Sequence, residues 1–337
     1  MQILVTGGAG YIGSHMVVSL LEGGHQVAVL DNYANSSADI LKQVEEITGK
    51  KCPAYEADVT DAGQLDALMA EIRPDSVFHF AGRKSVAESV ERPDFYHQQN
   101  VVGTQNLLSA MAKCGCNQII FSSSATVYGA PEKLPLTETH RVSPFNPYGV
   151  SKLAAENAIT RWTDAAPERR AVLLRYFNPV GAHISGKIGE NPKGRPNNLF
   201  PFIVQVAAGL RAELEIYGDD YETPDGTGVR DYIHITDLVE GHIAALAYAQ
   251  NHKGSEIFNL GTGKGYSVCD VVHAFEAATG IKVPYQIKDR RAGDIATCYA
   301  DAAKAESQLG WVAKLGLEQM CRDGWRWQEN QSGDAQK

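Results

Sequence analysis

Ile3-Leu4-Val5-Thr6-Gly7-Gly8-Ala9-Gly10-Tyr11-Ile12-Gly13 is a short apolar run that passes through a glycine cluster directly into the start of a helical stretch. Glycines between a strand and a helix let the backbone turn tightly and approach a ligand closely. The helix start then offers unpaired N–H groups and the positive end of its dipole. Two spacings fit, Gly8-x-Gly10-x-x-Gly13 and Gly7-x-x-Gly10-x-x-Gly13. Either one cradles a pyrophosphate. Asp31 ends the next apolar run, Val27-Ala28-Val29-Leu30, 18 residues after Gly13. An acid there accepts hydrogen bonds from an adenine ribose and repels a 2′-phosphate, so the pair favours NAD over NADP.

Outward from this motif, apolar β-branched runs recur at Val77-Phe78-His79-Phe80, Ile119-Ile120-Phe121 and Val172-Leu173-Leu174. Helical stretches at 12–22, 61–72 and 100–113 separate them and stop at Gly23-Gly24, before Pro74 and at Gly115. Strands apolar along their whole length belong to a parallel sheet covered on both faces. The expected fold is α/β, a doubly wound parallel Rossmann-type sheet with a smaller α/β lobe towards the C-terminus. The rhythm breaks after residue 178. Residues 181–198 are rich in Gly, Pro and Asn and read as a long loop, and the later elements (200–208, 257–260, 268–278, 316–327) are shorter. The expected division is therefore 1–178 for the dinucleotide domain, with later segments returning to it, and 179–337 mainly for a substrate lobe. Residues 328–337 are expected to fray.

Composition narrows the function classes. In 337 residues, 31 Lys and Arg face 40 Asp and Glu, a net charge of −9 with no basic run, so nucleic acid and anionic membrane are not expected partners. No stretch is long and apolar enough to span a bilayer, and no cationic leader precedes Ile3. Six scattered cysteines lack zinc-site spacing and read as free thiols of a reducing cytoplasm, with no metal expected.

A second constellation points to alcohol chemistry. Asn146 caps and Pro147 opens a helix on which Tyr148 and Lys152, four residues apart, share a face. An ammonium beside a phenol favours phenolate, lowering a pKa that is ordinarily about 10. On an arbitrary helix such a pair has no consequence. Here Ser122-Ser123-Ser124 ends the fifth strand on the edge where the dinucleotide lies, and Ser124 can orient or relay the proton that Tyr148 takes. Asp58-Val59, after the third strand, stands within reach of an adenine.

The glycine loop, strand-end Ser and Tyr-x-x-x-Lys helix in this order resemble the extended branch of the short-chain dehydrogenase/reductase superfamily. Thr6–Gly13, Phe80-Ala-Gly-Arg-Lys-Ser-Val86, Ser122-Ser-Ser-Ala-Thr-Val-Tyr-Gly129, Arg175-Tyr-Phe-Asn-Pro-Val-Gly-Ala182 and Gly226-Thr-Gly-Val-Arg-Asp-Tyr-Ile-His234 resemble its UDP-hexose 4-epimerase family over nearly the whole chain. The resemblance implies NAD-dependent interconversion of UDP-galactose and UDP-glucose, in a homodimer. It also implies catalytic roles for Tyr148, Lys152 and Ser124. NAD contacts are implied at Gly7, Gly10, Tyr11, Ile12, Gly13, Asp31, Asn32, Asn35, Ser36, Asp58, Val59, Phe80, Ala81, Gly82, Lys84, Asn100 and Phe177, with Gln99 standing where the family often has Asn. UDP-sugar contacts are implied at Asn178, Asn198, Leu199, Tyr217, Arg230, Arg291, Asp294 and Cys298.

Three readings divide on few residues. The family's dehydratases carry an Asp-Glu pair, and its decarboxylases a Glu, where this chain has Ala125 and Thr126, neither of which supplies a carboxylate. A silent NAD-binding regulator would lack the Tyr or the Lys. Cys298 stands where glucose-restricted relatives tend to have Tyr, which implies room for an N-acetylated hexose.

Overall fold

The structure, a computed structural model, describes residues 1–194, 196–291 and 293–334. Six strands are laid down first: β1 (Gln2–Thr6), β2 (Gln26–Asp31), β3 (Ala54–Glu56), β4 (Ser76–His79), β5 (Gln118–Ser124) and β6 (Arg170–Tyr176). After them come β7 (Asn178–Val180), β8 (Leu214–Tyr217), β9 (Val229–His234), β10 (Gly254–Leu260), β11 (Gly265–Ser267), β12 (Tyr285–Lys288) and β13 (Thr297–Cys298). A seven-stranded parallel sheet runs in the order β10-β6-β5-β4-β1-β2-β3. Strand order reverses between β1 and β4, and loops leaving their carboxyl ends diverge there to open a crevice.

The all-apolar strands are buried as their composition requires. Ile3, Val5 and Phe78 face helices Tyr11–Glu22 and Ile235–Asn251 on one side, while Leu4, Val77 and Ile119 face helices Ala62–Ile72 and Gly103–Cys114 on the other. Strand β10 lies seventy-eight residues beyond β6 yet pairs with it in register from Gly254↔Arg170 to Leu260↔Tyr176, so this later segment belongs to the large sheet. The smaller lobe holds β9 flanked by β11 and β13, with β7 also on β9, and the pair β8–β12. Its apolar core gathers Phe200, Ile203, Ile216, Val271, Phe275 and Met320. Among the described residues no helix is long and apolar enough to cross a membrane.

Two local expectations need correction. The run before Gly103 is not a plain α-helix: His97–Val102 forms a π-helical turn leading into helix Gly103–Cys114. Residues from 328 onward do not fray at once, because helix Leu317–Asp334 carries through them. That helix is tied to the hairpin closed by the Ala182↔Gly189 bridge: Arg326 donates to the Ile184 carbonyl at 3.0 Å and Asn330 to the Gly186 carbonyl at 3.0 Å. Residues 335–337 of the expected tail, with Arg195 and Ala292, lie outside the described residues.

Helix Pro147–Asp164 is fixed to the large sheet by charge as well as packing. Glu156 accepts from Arg175 Nε at 2.9 Å and from Arg175 Nη2 at 2.6 Å, in a bidentate pair whose side chains are almost wholly buried. Ser123 also donates to Glu156, so β5, β6 and the helix meet at one carboxylate. Glu156→Ala leaves a buried guanidinium without its counter-charge. It should lower unfolding free energy by about 3–5 kcal/mol, as read from urea denaturation; a loss within 0.5 kcal/mol, about what an ordinary surface change costs, would refute this.

Candidate active site

At the switch point the glycine loop leaves little space for side chains. Gly7 has φ +72°, and a Cβ on it would stand 2.7 Å from the Ala81 nitrogen. A Cβ on Gly13 would stand 2.1 Å from the Gly7 carbonyl oxygen. Gly7 and Gly13 are thus enforced by backbone against backbone, Gly8 by the Val29 side chain 2.8 Å from its Cβ position, and Gly10 less tightly, at 3.2 Å from the Gly7 oxygen. Gly10 then caps helix Tyr11–Glu22, whose first-turn amides have no acceptor within the helix.

Asp31 is buried at the end of β2 and reaches back to this loop. It accepts from the Ala9 amide at 2.9 Å, the Tyr33 amide at 2.9 Å and the Ser36 hydroxyl at 2.8 Å. The carboxylate and the cradle are therefore one rigid unit. Asn32, Asn35, Ser36, Val59, Phe80, Ala81, Gly82 and Lys84 line the same cleft. Its volume of about 1940 Å³ exceeds the roughly 300–1,000 Å³ of a pocket for one small molecule, which leaves space for two ligands. A glycine cradle that any Cβ would fill, next to a fixed acid, fits the adenosine and diphosphate of NAD.

Two of the residues expected to touch NAD do not form the wall. Asn100 is buried with its amide committed to structure: Oδ1 accepts from the Arg83 amide at 2.7 Å, and Nδ2 donates to the Arg83 carbonyl at 3.0 Å and to Ser151 Oγ at 2.9 Å. It holds the loop after β4 to the helix of Tyr148. In the π-helical turn Gln99 is the residue that faces the cleft. Asp58 stands behind the wall, accepting from Asn32 Nδ2 at 2.7 Å and from Thr60, and it shares a hydrogen bond with Gln99. Burial raises its carboxyl pKa, but these hydrogen bonds prevail and hold it below the ordinary value.

Tyr148, Lys152 and Ser124 converge on the cleft from helix Pro147–Asp164 and the end of β5. The Asn146 side chain accepts from the Gly149 amide at 2.8 Å, setting the helix start one residue before the Tyr. Tyr148, Lys152 and Glu156 follow at four-residue steps on one face. The electrostatics differ from the sequence expectation. Burial raises the Tyr148 phenol above its ordinary pKa, and a hydrogen bond with Ser124 pulls it back in part. Lys152 Nζ donates to the Ser122 carbonyl at 2.8 Å, and burial pushes its ammonium down to about 8 although Glu156 opposes the shift. Desolvation thus outweighs the attraction expected between the two groups.

The opposite wall comes from the smaller lobe. Phe177 and Asn178, at the crossing from β6 to β7, join Asn198, Leu199, Tyr217, Arg230, Arg291, Asp294 and Cys298 around the cleft. Arg291 donates to Asp294 at 2.9 Å and lies over the Tyr217 ring at 4.7 Å, so these three form one cluster. Arg230 on β9 donates to the Val229 carbonyl at 2.8 Å and is the strand partner of Cys298 on β13. Cys298 packs with Phe177, Val127 and Ala300, and burial pushes its thiol up to about 11. Gln99, Glu190 and the exposed Phe145 also line the cleft, none of them expected there from sequence. Only Gln99 carried a signal, as the departure from the family's Asn.

The family model described as GDP-mannose 4,6 dehydratase matches residues 4–324. UDP-glucose 4-epimerase of Bacillus subtilis is 55% identical over 98% of this chain and 97% of its own length. That of Haemophilus influenzae is 54% identical over 98% of each. The chain belongs to the extended short-chain dehydrogenase/reductase family, in its UDP-glucose 4-epimerase branch. Among solved structures, the UDP-glucose 4-epimerase of Bifidobacterium longum in complex with NAD+ and UDP has a TM-score of 0.96 and 50% identity, covering 98% of this chain and 99% of that one. The epimerase of Stenotrophomonas maltophila with bound NAD and formylated UDP-arabinopyranose has a TM-score of 0.96, 47% identity and 99% coverage of both.

Since a Cβ at position 13 has no space beside the Gly7 carbonyl, Gly13→Ala should weaken NAD binding at least tenfold, equivalent to about 1.4 kcal/mol. NAD released from the purified, heat-denatured variant measures this; parental NAD content would contradict the cradle.

Proposed function

We propose that the chain interconverts UDP-galactose and UDP-glucose with NAD as a cofactor retained in the protein, and so serves galactose metabolism. The observation that carries this is the convergence of the Tyr148, Lys152 and Ser124 triad with the glycine cradle on one side and the Arg230 and Arg291 wall on the other. Bound NAD supplies the oxidant and then the reductant, and its positively charged ring favours a phenolate nearby. The protein's own part is proton handling and grip. Tyr148 takes the proton of the sugar C4 hydroxyl and later returns it, Ser124 orients that hydroxyl and the phenol, and the Lys152 charge stabilises the phenolate.

The grip on the nucleotide is strong. Arg230 and Arg291 offer planar forks to phosphate oxygens, Tyr217 a face for uracil, and Asn178, Asn198, Leu199 and Asp294 the remaining contacts. Towards the sugar the wall is apolar, with Phe177 and Cys298 in one cluster. A 4-keto sugar gripped at its diphosphate and little elsewhere can turn and present its other face. Hydride return to that face inverts C4.

A dehydratase reading gains nothing from positions 125 and 126. Ala125 has no acid, and Thr126 is turned to its own neighbour, its hydroxyl donating to Ser124 Oγ at 3.0 Å. A decarboxylase lacks its Glu for the same reason, and the retained Tyr148 and Lys152 argue against a silent regulator. A cytoplasmic homodimer through helices Gly103–Cys114 and Pro147–Asp164 completes the proposal.

Incubating the purified chain with UDP-galactose and no added NAD should yield UDP-glucose. Tyr148→Phe, which removes the proton acceptor and little volume, should keep its NAD and lose turnover by at least about 10²-fold. A 4-keto-6-deoxy product, untouched substrate, or wild-type turnover in the variant would each overturn the reading. For substrate range, the small buried Cys298 leaves room beside the hexose. UDP-N-acetylgalactosamine should also be epimerised, and Cys298→Tyr should abolish that activity while UDP-galactose turnover, the control for folding, persists; equal loss of both would refute the gate.

A further inference from the structure

Glu190 is assigned no part in binding or catalysis, yet three residues expected at the cofactor and nucleotide-sugar sites lie around it. Its Oε1 accepts from Lys84 Nζ at 2.6 Å and from Asn198 Nδ2 at 2.9 Å. Tyr11, whose hydroxyl donates to the Gly181 carbonyl at 2.7 Å, lies close enough for the Glu190 charge to raise its phenol pKa further above what burial does. Lys84 and Tyr11 belong to the expected cofactor side, Asn198 to the expected nucleotide-sugar side.

A carboxylate on the wall of a cleft that takes two diphosphates is electrostatically unfavourable unless it serves another purpose. The mounting of Glu190 shows one. It follows Gly189 at the base of the hairpin closed by the Ala182↔Gly189 bridge, and a Cβ on Gly189 would stand 2.6 Å from the Trp327 ring. Its side chain is about 10% exposed, whereas that of Lys84 is 48% exposed. Glu190 is therefore the fixed member, and Lys84 and Asn198 are positioned by it. Each keeps donors for a ligand after making this bond: an ammonium has three N–H groups, an amide two.

We propose that Glu190 is a positioning residue that holds Lys84 towards the cofactor and Asn198 towards the UDP moiety, so that one carboxylate preorganises the grip on both. This rests on the epimerase reading for the identity of the two ligands, but its test does not need turnover. In Glu190→Ala, NAD retention and UDP affinity, measured by gel filtration and calorimetry, should each fall about tenfold. Glu190→Gln is isosteric and its oxygen can still accept from both donors, but it lacks the negative charge that strengthens the Lys84 bond most. It should restore UDP affinity and leave NAD retention weak.

Double-mutant cycles separate positioning from a general loss of structure. Once Glu190 is Ala, adding Lys84→Met should cost little more NAD affinity, and adding Asn198→Ala little more UDP affinity. Additive losses in either cycle overturn the proposal, as do unchanged or tighter affinities in Glu190→Ala. Should that variant fail to fold, Glu190→Gln decides: equal losses for NAD and UDP, or none for either, refute it. A parental chain that binds NAD and UDP but does not epimerise UDP-galactose would sink the functional reading alone.

Discussion

The buried contact between Glu156 and Arg175, with the Ser123 hydroxyl on the same carboxylate, anchors the helix that carries Tyr148 and Lys152 to the large sheet. Helix Pro147–Asp164 carries Tyr148 and Lys152 on the face that ends in Glu156. A carboxylate gripped bidentately by a guanidinium allows little rotation about the helix axis. Rotation there would swing the Tyr148 phenol away from Ser124, which is itself set by β5 beside β6 at the Ser124↔Tyr176 register. Such a pair does not guarantee net stability, since desolvation offsets much of its Coulomb energy. Its value lies in geometry.

A second constraint acts from the other side of the crevice. Gly7 and Gly13 permit no side chain, so the glycine loop closes on the Ala81 backbone and fixes where β4's loop departs. Asn100 then joins that loop to the Tyr148 helix through Arg83 and Ser151. The cradle and the helix of Tyr148 are thus linked through a short chain of hydrogen bonds, and Lys84 emerges between them. What the fold delivers is two rigid half-sites with fixed separation, which proximity effects in hydride transfer require.

Much of this was legible in sequence because it follows from local rules. Apolar β-branched runs punctuated by Gly and Pro gave the parallel sheet, the glycines and Asp31 gave the dinucleotide side, and the four-residue spacing gave the face shared by Tyr148 and Lys152. The failures were of another kind. The π-helical turn at His97–Val102 changes which residue of Gln99-Asn100 faces the cleft, and no periodicity in the sequence announces it. The Tyr148 phenol is raised because burial outweighs a charge whose donor bonds Ser122, and burial is a property of the whole fold. Helix Leu317–Asp334 persists past Trp327 because Arg326 and Asn330 bind a hairpin about 140 residues earlier in the chain.

The raised phenol does not count against a base. A group that must give its proton back after accepting one works best when neither form is strongly preferred, and desolvation and cationic charge push Tyr148 in opposite directions. Burial sets a high starting value in the protein alone. Each positive charge brought into the same dry space then acts with little screening, so its effect is larger than on an exposed phenol. The same dryness lowers Lys152 to about 8, close enough to neutrality for its charge to respond to its neighbours. In the role proposed for it, Tyr148 would act as a base once its ligands bring positive charge into this space.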